Sequence, residues 1–248
     1  MIIDSHAHLG HDYVFDEEAT EEGLLYYYEK FDIDGAVIQP FINRPYISDT
    51  VRSHDRIYEF CKSSSKHFWG MASINPHFSP EDYEIEAKRC VNELGFVGLK
   101  ITPIAHAVHP SSKDGLHVFE IAGELKVPVM VHTGAGAPFS DPISLLPAVK
   151  SFPDVKIILA HGGSDAFFQQ ALFLAESFDH VYVEPSWLSI LNTRKLLKVI
   201  GASKVMFSSD HGINAGMELT KYRTLLEDEV QLERVLSGTA IEVFNLKL

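Results

Sequence analysis

Short apolar runs alternate with amphipathic stretches along the whole chain. The first run leads into His6 and His8, and later runs such as Gly35–Pro40 and the segment 155–161 are apolar at nearly every position. Runs of this kind are typical of strands that are covered on both faces, as in a parallel sheet. Eight such strands are predicted, and they end near His8, Pro40, Asn75, Lys100, His132, His161, Glu184 and Asp210.

Helical patterns lie between these runs. Thr20 is a predicted helix cap, and Ser79 followed by Pro80 and two acidic residues is typical of a helix start. Further helices are predicted around residues 116–125, 143–151, 167–177 and 188–200, and residues 219–246 are predicted to be helical. Because no linker, low-complexity tract or charge block interrupts this order, residues 1–248 are predicted to form one domain.

The order of elements predicts a single (β/α)8 TIM barrel. Parallel strands need crossover connections, which are usually helical, and eight strand–helix units close into a barrel. A doubly wound open sheet is the alternative. That fold usually has a glycine-rich phosphate loop after its first strand, where this chain has His6 and His8.

Composition narrows the class of partner. The chain has 248 residues, of which 46% are hydrophobic, enough for one large core. A formal net charge of −13 and a pI near 5.4 argue against nucleic-acid and anionic-membrane surfaces, so a small-molecule substrate is expected. Cys61 and Cys90 show no paired spacing, and no apolar run approaches the length of a membrane span. A soluble, cytoplasmic protein with reduced thiols is expected.

Polar side chains stand at the ends of the predicted strands, and in this type of barrel the active site is built there. Alternation along a strand puts His6 and His8 on one face, where two imidazoles can hold a metal ion. Their shared position favours one active site over scattered surface or core residues. The strand-end candidates are His6, His8, Lys100, His132, His161, Glu184 and Asp210.

Several of these residues lie in short motifs. The chain opens with Asp4-Ser5-His6-Ala7-His8 and later has Ala160-His161-Gly162-Gly163 and Ser209-Asp210. With these motifs, with the fifth-strand His132 and with a closing segment over 237–244, the sequence resembles the amidohydrolase superfamily from end to end. Within that superfamily it resembles the amidohydrolase-related branch of metal-dependent barrels.

The resemblance implies one divalent metal, usually zinc, held by His6, His8, His132 and Asp210. It also implies that Asp210 accepts the proton of an attacking water and that His161 moves a proton or polarises the substrate carbonyl. Such a metal lowers the pKa of a bound water toward about 7. The activity expected first is therefore hydrolysis of a small lactone, amide or ester by metal-activated water.

Three alternatives stay open. The same branch includes non-oxidative decarboxylases of unsaturated or aromatic acids, for which Arg44 would bind a carboxylate and Trp187 would form an aromatic wall. Lys100 either binds a substrate carboxylate as an ammonium or, as in binuclear members of the superfamily, is carboxylated and bridges two metals. The third alternative is a barrel that binds a metal or a ligand without turnover. The sequence argues against it, because such a protein would not need the whole set of histidines together with Asp210.

The sequence departs from the family pattern at two positions, of which the first is expected to change the pocket wall and the second only a contact of the C-terminal tail. His211 follows Asp210 where relatives often have an aromatic residue, and Thr239 replaces the asparagine of the closing motif. The loops after the first two strands are short, so the pocket is open or is completed by another subunit of a homo-oligomer. Candidates for substrate contact are Lys100, Arg44 and Trp187, followed by Asn75, His106 and His109.

Overall fold

A computed structural model of the protein describes residues 1–13, 16–41, 46–136 and 139–248. Within these ranges short strands alternate with helices. The strands are β1 (Ile3–Asp12), β2 (Glu17–Ala19), β3 (Gly35–Pro40), β4 (His67–Gly70), β5 (Ala72–Ser73), β6 (Leu99–Ile101), β7 (Val129–His132), β8 (Ile157–Ala160) and β9 (Val181–Glu184). The helices are α1 (Glu21–Lys30), α2 (Ile47–Ser63), α3 (Pro80–Asn92), α4 (Pro103–His106), α5 (Lys113–Leu125), α6 (Leu146–Ser151), α7 (Ser164–Ser177), α8 (Ile190–Ile200), α9 (Ala215–Leu225), α10 (Glu229–Glu233) and α11 (Thr239–Phe244).

The strands form two sheets that continue into each other. One has the order β2-β1-β3-β4 and the other the order β5-β6-β7-β8-β9, and every pair except β1 with β2 is parallel. Met71 joins the sheets, since its N–H donates to the Ile38 carbonyl of β3 at 2.8 Å. The next N–H, of Ala72, donates to the Gly98 carbonyl before β6 at 3.0 Å, so β4 and β5 together occupy one position of the barrel.

An extended segment over 205–210 closes the barrel as its eighth parallel position. The Met206 N–H donates to the Val183 carbonyl of β9 at 3.0 Å. On the other side, the Ser5 N–H donates to the Phe207 carbonyl at 3.0 Å, and the Asp210 N–H donates to the His6 carbonyl at 2.8 Å. The predicted (β/α)8 barrel is confirmed, and its closure places Asp210 directly beside His6.

Some elements differ from their predictions. β1 continues to Asp12, beyond the predicted end at His8, because its last three residues pair antiparallel with β2. The predicted eighth strand makes only isolated bridges, Ala7 with Asp210 and Val183 with Val205. The predicted helix over 219–246 is broken after Leu225 into α9, α10, a π-helical turn and α11.

Side chains inside the barrel form an apolar floor below a polar layer. The floor contains Ile3, Val37, Met71, Met130, Ile158 and Met206, and α11 packs against it with Val243 and Phe244. Alternate residues of a regular strand point the same way, so in β3 and β7 the residue two positions beyond the floor residue also faces the barrel interior. At this level Gln39 follows Val37 and His132 follows Met130. The polar layer therefore lies at the C-terminal ends of the strands.

Candidate active site

Two histidines and an aspartate converge at the end of β1. The Nε2 atoms of His6 and His8 lie 3.0 Å apart, and Asp210 Oδ1 lies 3.3 Å from the first and 3.5 Å from the second. Burial lowers the pKa of both imidazoles well below the usual value, so they are neutral. Burial raises the pKa of the Asp210 carboxyl, but interaction with His161 and His6 outweighs it and holds that pKa well below its usual range.

This arrangement fits a divalent cation. His6 Nδ1 hydrogen-bonds the Glu184 carboxylate, which can only accept, so the lone pair of His6 is on Nε2. His8 Nε2 lies 3.3 Å from the Gln39 Nε2 donor and therefore also carries a lone pair. Two lone pairs facing each other at 3.0 Å beside a carboxylate oxygen repel one another unless a positive charge lies among them. Neutral imidazoles and a carboxylate are the ligands that zinc and similar ions take.

Lys100 supplies a positive charge at the edge of this cluster. Its Nζ donates to His6 Nε2 at 2.9 Å, and the side chain is 1% exposed. Burial lowers the pKa of Lys100 to about 8, so the amine is mostly protonated at neutral pH. Among the described residues no carboxylate oxygen lies within 4.0 Å of Nζ.

Glu184, at the end of β9, connects the two sides of the site. Its carboxylate accepts hydrogen bonds from His6 Nδ1, from the backbone N–H of His161 at 3.2 Å, from the backbone N–H of Ser186 at 2.9 Å and from the Ser208 hydroxyl. A carboxylate that holds a ligating histidine in this way fixes its tautomer and ring orientation. These contacts favour a role for Glu184 in holding His6 and the neighbouring loop over a direct role in the chemistry.

His161 lies next to this network. Its Nδ1 is 2.8 Å from the Ser186 hydroxyl, and its ring centroid is 5.2 Å from that of His6 and 4.8 Å from that of His132. Burial lowers the pKa of His161 to about 4, so the ring is neutral. With Nδ1 engaged by Ser186, the Nε2 atom is the one available for proton transfer.

His132 lies at the site but is turned toward the backbone. Its Nε2 lies 2.8 Å from the Ala135 carbonyl, which can only accept, so this nitrogen carries the proton. Two sets of described residues near it have potential ligand atoms that all lie within 4.8 Å of one another, His6 with His8 and Asp210, and His6 with His161 and Glu184. His132 is in neither set, and its role as a metal ligand stays a prediction.

The cluster opens into a pocket of about 260 Å³, smaller than the roughly 300 to 1,000 Å³ typical of drug-sized ligands. One wall is aromatic: Phe41 stacks on His8 at 4.4 Å between centroids, and His211 lies 5.6 Å from Phe41 and 6.3 Å from Trp187. The pocket is lined by His8, Asp12, Phe41, Lys100, Thr102, Ile104, Ala105, His132, Ala135, Gly136, His161, Ser164, Trp187, Asp210 and His211.

Several pocket residues have a strained backbone. His161, Trp187 and Asp210 have φ angles of 63°, 66° and 65°, in the left-handed region that non-glycine residues avoid. Such residues cost on the order of 1 to 3 kcal/mol each and persist where surrounding contacts hold them. Aspartate and histidine are among the non-glycine residues found most often in this region, but tryptophan is not, and no local sequence pattern marks these three positions.

The predicted substrate-contact residues have different positions. Lys100 and Trp187 line the pocket, whereas Arg44 lies outside the described residues. His106 is buried and accepts a hydrogen bond from the Thr102 N–H at 3.2 Å, and Asn75 and His109 accept bonds from nearby backbone N–H groups. The last three do not line the described pocket.

Sequence reasoning missed four residues of the site: Gln39, Phe41, Ser186 and Ser208. Phe41 directly follows the second predicted strand, and Gln39 is the one polar residue in that strand, which was the available signal. Ser186 and Ser208 matter only through their bonds to His161 and Glu184, and no local pattern marks them.

A third set with metal-ligating atoms lies behind β5, formed by His54, Glu86 and Cys90. Arg89 donates to both carboxylate oxygens of Glu86, at 2.8 and 2.9 Å, and the His54 ring accepts from the Ser73 N–H at 3.0 Å. The guanidinium already balances the carboxylate, so this cluster is a satisfied polar part of the core.

An α/β barrel that gathers histidines, a lysine and an aspartate at the C-terminal ends of its strands has the architecture of a barrel enzyme. The chain belongs to the amidohydrolase family, whose model matches residues 3–246. The predicted family is thereby confirmed. No described helix combines the length and apolar composition that a membrane span needs.

Among curated proteins, the chain is 33% identical to a 2-keto-4-carboxy-3-hexenedioate hydratase from a Sphingobium species, over an alignment of 99 positions that covers 32% of this chain and 29% of that enzyme. A solved 4-oxalomesaconate hydratase from Rhodopseudomonas palustris has a TM-score of 0.75 at 18% identity and covers 99% of this chain and 96% of its own. A 5-carboxyvanillate decarboxylase from Novosphingobium aromaticivorans, solved with manganese, has a TM-score of 0.79 at 15% identity, with 99% and 96% coverage. At these identities the solved structures show the shared fold.

Proposed function

We propose that the protein is a metal-dependent lyase that acts on a small unsaturated or aromatic carboxylic acid. The observation that carries this proposal is the buried Lys100, whose ammonium group lines the pocket with no carboxylate of the described residues within 4.0 Å. A buried charge is costly unless an opposite charge accompanies it. Asp210 and Glu184 raise the pKa of Lys100 only from a longer distance, and a substrate carboxylate would supply the direct partner, which makes the pocket selective for acids.

The aromatic wall sets the shape of the substrate. Phe41, His211 and Trp187 present flat surfaces along one side of the pocket, with His8 stacked behind Phe41. Flat side chains favour a planar, conjugated molecule, which stacks on them with little loss of internal freedom. This supports an aromatic or unsaturated acid over a saturated lactone or a flexible amide.

His6, His8 and Asp210 would hold one divalent metal, with His132 as the further ligand that the sequence predicts. Bound there, the metal would supply a Lewis acid that polarises a substrate oxygen. Zinc is the ion implied by the sequence, and the solved decarboxylase relative contains manganese. Elemental analysis of protein purified without added metal tests this assignment. One metal per chain and an unmodified Lys100 are expected, whereas two metals with a carboxylated Lys100 would contradict the mononuclear site.

Side chains of the protein would bind and orient the substrate and transfer the proton. Lys100 binds the substrate carboxylate, and the aromatic wall orients the conjugated plane. His161, whose ring is neutral, would relay a proton through Nε2: it takes the proton from water or from a substrate hydroxyl and gives it to the carbon from which carbon dioxide leaves, or to the atom that gains it when water is added to or lost from a double bond. Both reactions are lyase reactions, and the hydratase and decarboxylase relatives carry them out by name.

Hydrolysis of a lactone, amide or ester is the second candidate, favoured by the ionised Asp210 at the site. A substrate panel separates the two. Metal-loaded protein is incubated with hydroxybenzoates, with unsaturated oxo-dicarboxylates and with neutral lactones, amides and esters. Release of carbon dioxide or loss of conjugated-acid absorbance is expected. Turnover of the neutral compounds with all acids inert would make the protein a hydrolase.

Replacement of His161 tests its role as a proton carrier. His161→Gln is expected to lower turnover by roughly 100-fold or more, the usual contribution of general acid–base catalysis, while metal content stays at the wild-type level. Metal is measured by elemental analysis beside the rate. His67→Gln, an exposed change at the first residue of β4, at the end of the barrel opposite the site, is the control. Loss of the metal in His161→Gln would instead make His161 a ligand, as its closeness to His6 and Glu184 would permit.

A further inference from the structure

Trp187 connects Asp210 to a buried carboxylate behind the pocket. Its indole Nε1–H donates to Asp210 Oδ2 at 2.8 Å, and its backbone N–H donates to Glu218 Oε1 at 3.0 Å. Glu218 is 3% exposed and lies on α9. The other oxygen of Asp210, Oδ1, faces His6 and His8. The two carboxylate oxygens of Asp210 thus have different partners.

We propose that Trp187 is a positioning residue that holds Asp210 through Oδ2, so that only Oδ1 is presented to the metal. This inference rests on the metal site of the proposed function and goes beyond substrate contact, the role that the sequence predicts for Trp187. A carboxylate with two free oxygens can rotate or bind a cation through both, whereas one oxygen fixed by an N–H leaves a single ligand atom in one direction.

The surrounding contacts keep the indole in this place. Trp187 has a φ of 66°, a strained conformation that needs support from its neighbours. Glu218 gives that support by accepting the backbone N–H of Trp187. Glu218 also accepts from the Asn214 side chain at 3.2 Å, and Asn214 donates to the Ser209 carbonyl, next to Asp210, at 3.1 Å. Glu218 therefore anchors both loops that meet at Asp210.

The contact also limits what Asp210 does in the reaction. An indole N–H is a donor only and cannot take up a proton. Each carboxylate oxygen has two lone pairs, so Oδ2 keeps an acceptor position beside its bond to Trp187, but Trp187 cannot pass a proton onward from it. A proton taken up by Asp210 would have to leave through another group, and His161 is the neighbouring base.

Metal affinity tests the proposal without any substrate. Zinc binding is measured by competition with a chelating indicator for the wild type, Trp187→Phe and Trp187→His. Trp187→Phe keeps an aromatic ring but loses the N–H, and it is expected to bind zinc about 10- to 100-fold more weakly, as for other outer contacts of metal ligands. Trp187→His keeps a ring donor and is expected to recover part of the loss. Leu191→Ala, an exposed apolar change nearby, is the control and should bind like the wild type.

Equal zinc affinity in Trp187→Phe and the wild type would overturn the proposal. A second measurement covers the case in which the Trp187 variants fold poorly. The chain has two tryptophans, so Trp69→Phe leaves Trp187 as the sole indole reporter. Zinc is expected to shift the emission of this protein, because it changes the charge on the carboxylate that the indole contacts. Stoichiometric zinc binding with unchanged emission would contradict the contact. Because neither assay uses turnover, an inactive substrate panel would count against the proposed lyase and leave this inference to be judged separately.

Discussion

Asp210→Asn is expected to lower turnover by at least about 1,000-fold, or about 4 kcal/mol of transition-state stabilisation, with the fold intact. The carboxylate carries the negative charge that faces His6 and His8, and the amide removes that charge while keeping an oxygen of similar position. Asparagine also tolerates the left-handed backbone at this position, where φ is 65°. Rate, bound metal and thermal unfolding temperature are measured together.

Asp154→Asn is the matched control for this change. Asp154 is exposed, in the loop that precedes β8, at the end of the barrel opposite the site. The control should keep wild-type rate and metal content. Wild-type turnover in Asp210→Asn would remove Asp210 from the reaction, and loss of the unfolding transition would show that the carboxylate is needed for folding.

Lys100→Met is expected to reduce kcat/KM for an acidic substrate by about 2 to 5 kcal/mol, roughly 30-fold or more, the usual cost of removing one partner of a buried charge pair. The stability of Lys100→Met, in contrast to its activity, is not expected to fall. Lys100 is buried and, among the described residues, has no carboxylate oxygen within 4.0 Å of Nζ, with Asp210 and Glu184 acting on it only from farther away, so an apolar side chain of similar length is expected to leave the unfolding temperature unchanged or raise it. A protein that is equally stable but weakly active is the expected outcome.

Lys113→Met provides the comparison. Lys113 is exposed at the first residue of α5, on the face of the barrel where the strands end, so it tests the general effect of one charge on that face. Its loss should change kcat/KM little. If Lys100→Met kept full activity toward acids, or lost stability sharply, Lys100 would be a structural residue and the acid selectivity would need another source.

The sequence predicts the barrel and much of the site because both depend on local patterns. Alternation along β1 places His6 and His8 on one face, and apolar runs that stop at Lys100, Glu184 and Asp210 identify the ends of three strand positions. Once the fold is a barrel, all of these ends meet at one face. Arg44 stays a prediction, because it lies outside the described residues.

The remaining features depend on contacts between distant segments. Glu184 hydrogen-bonds His6, 178 residues away in the sequence, and Trp187 hydrogen-bonds Asp210, 23 residues away. No sequence pattern determines the geometry of either contact. The predicted eighth strand makes only isolated bridges, because the Phe207 N–H in its middle donates to the Val235 carbonyl and not to a neighbouring strand. The hydrophobic pattern of a segment indicates that the segment is buried. It does not indicate how regularly the segment hydrogen-bonds to the neighbouring strands.

Closure of the barrel has a consequence for folding. The Ser209 N–H donates to the Asp4 carboxylate across 205 residues, so β1 gains its neighbour on that side only after nearly all of the intervening chain has been synthesised. Until then β1 has an open edge, which can pair with the wrong strand. Contacts between residues so far apart in the sequence are also slow to form. Because His6, His8 and Asp210 meet at this seam, metal capture on the nascent protein should coincide with the final closure step and trap the closed form.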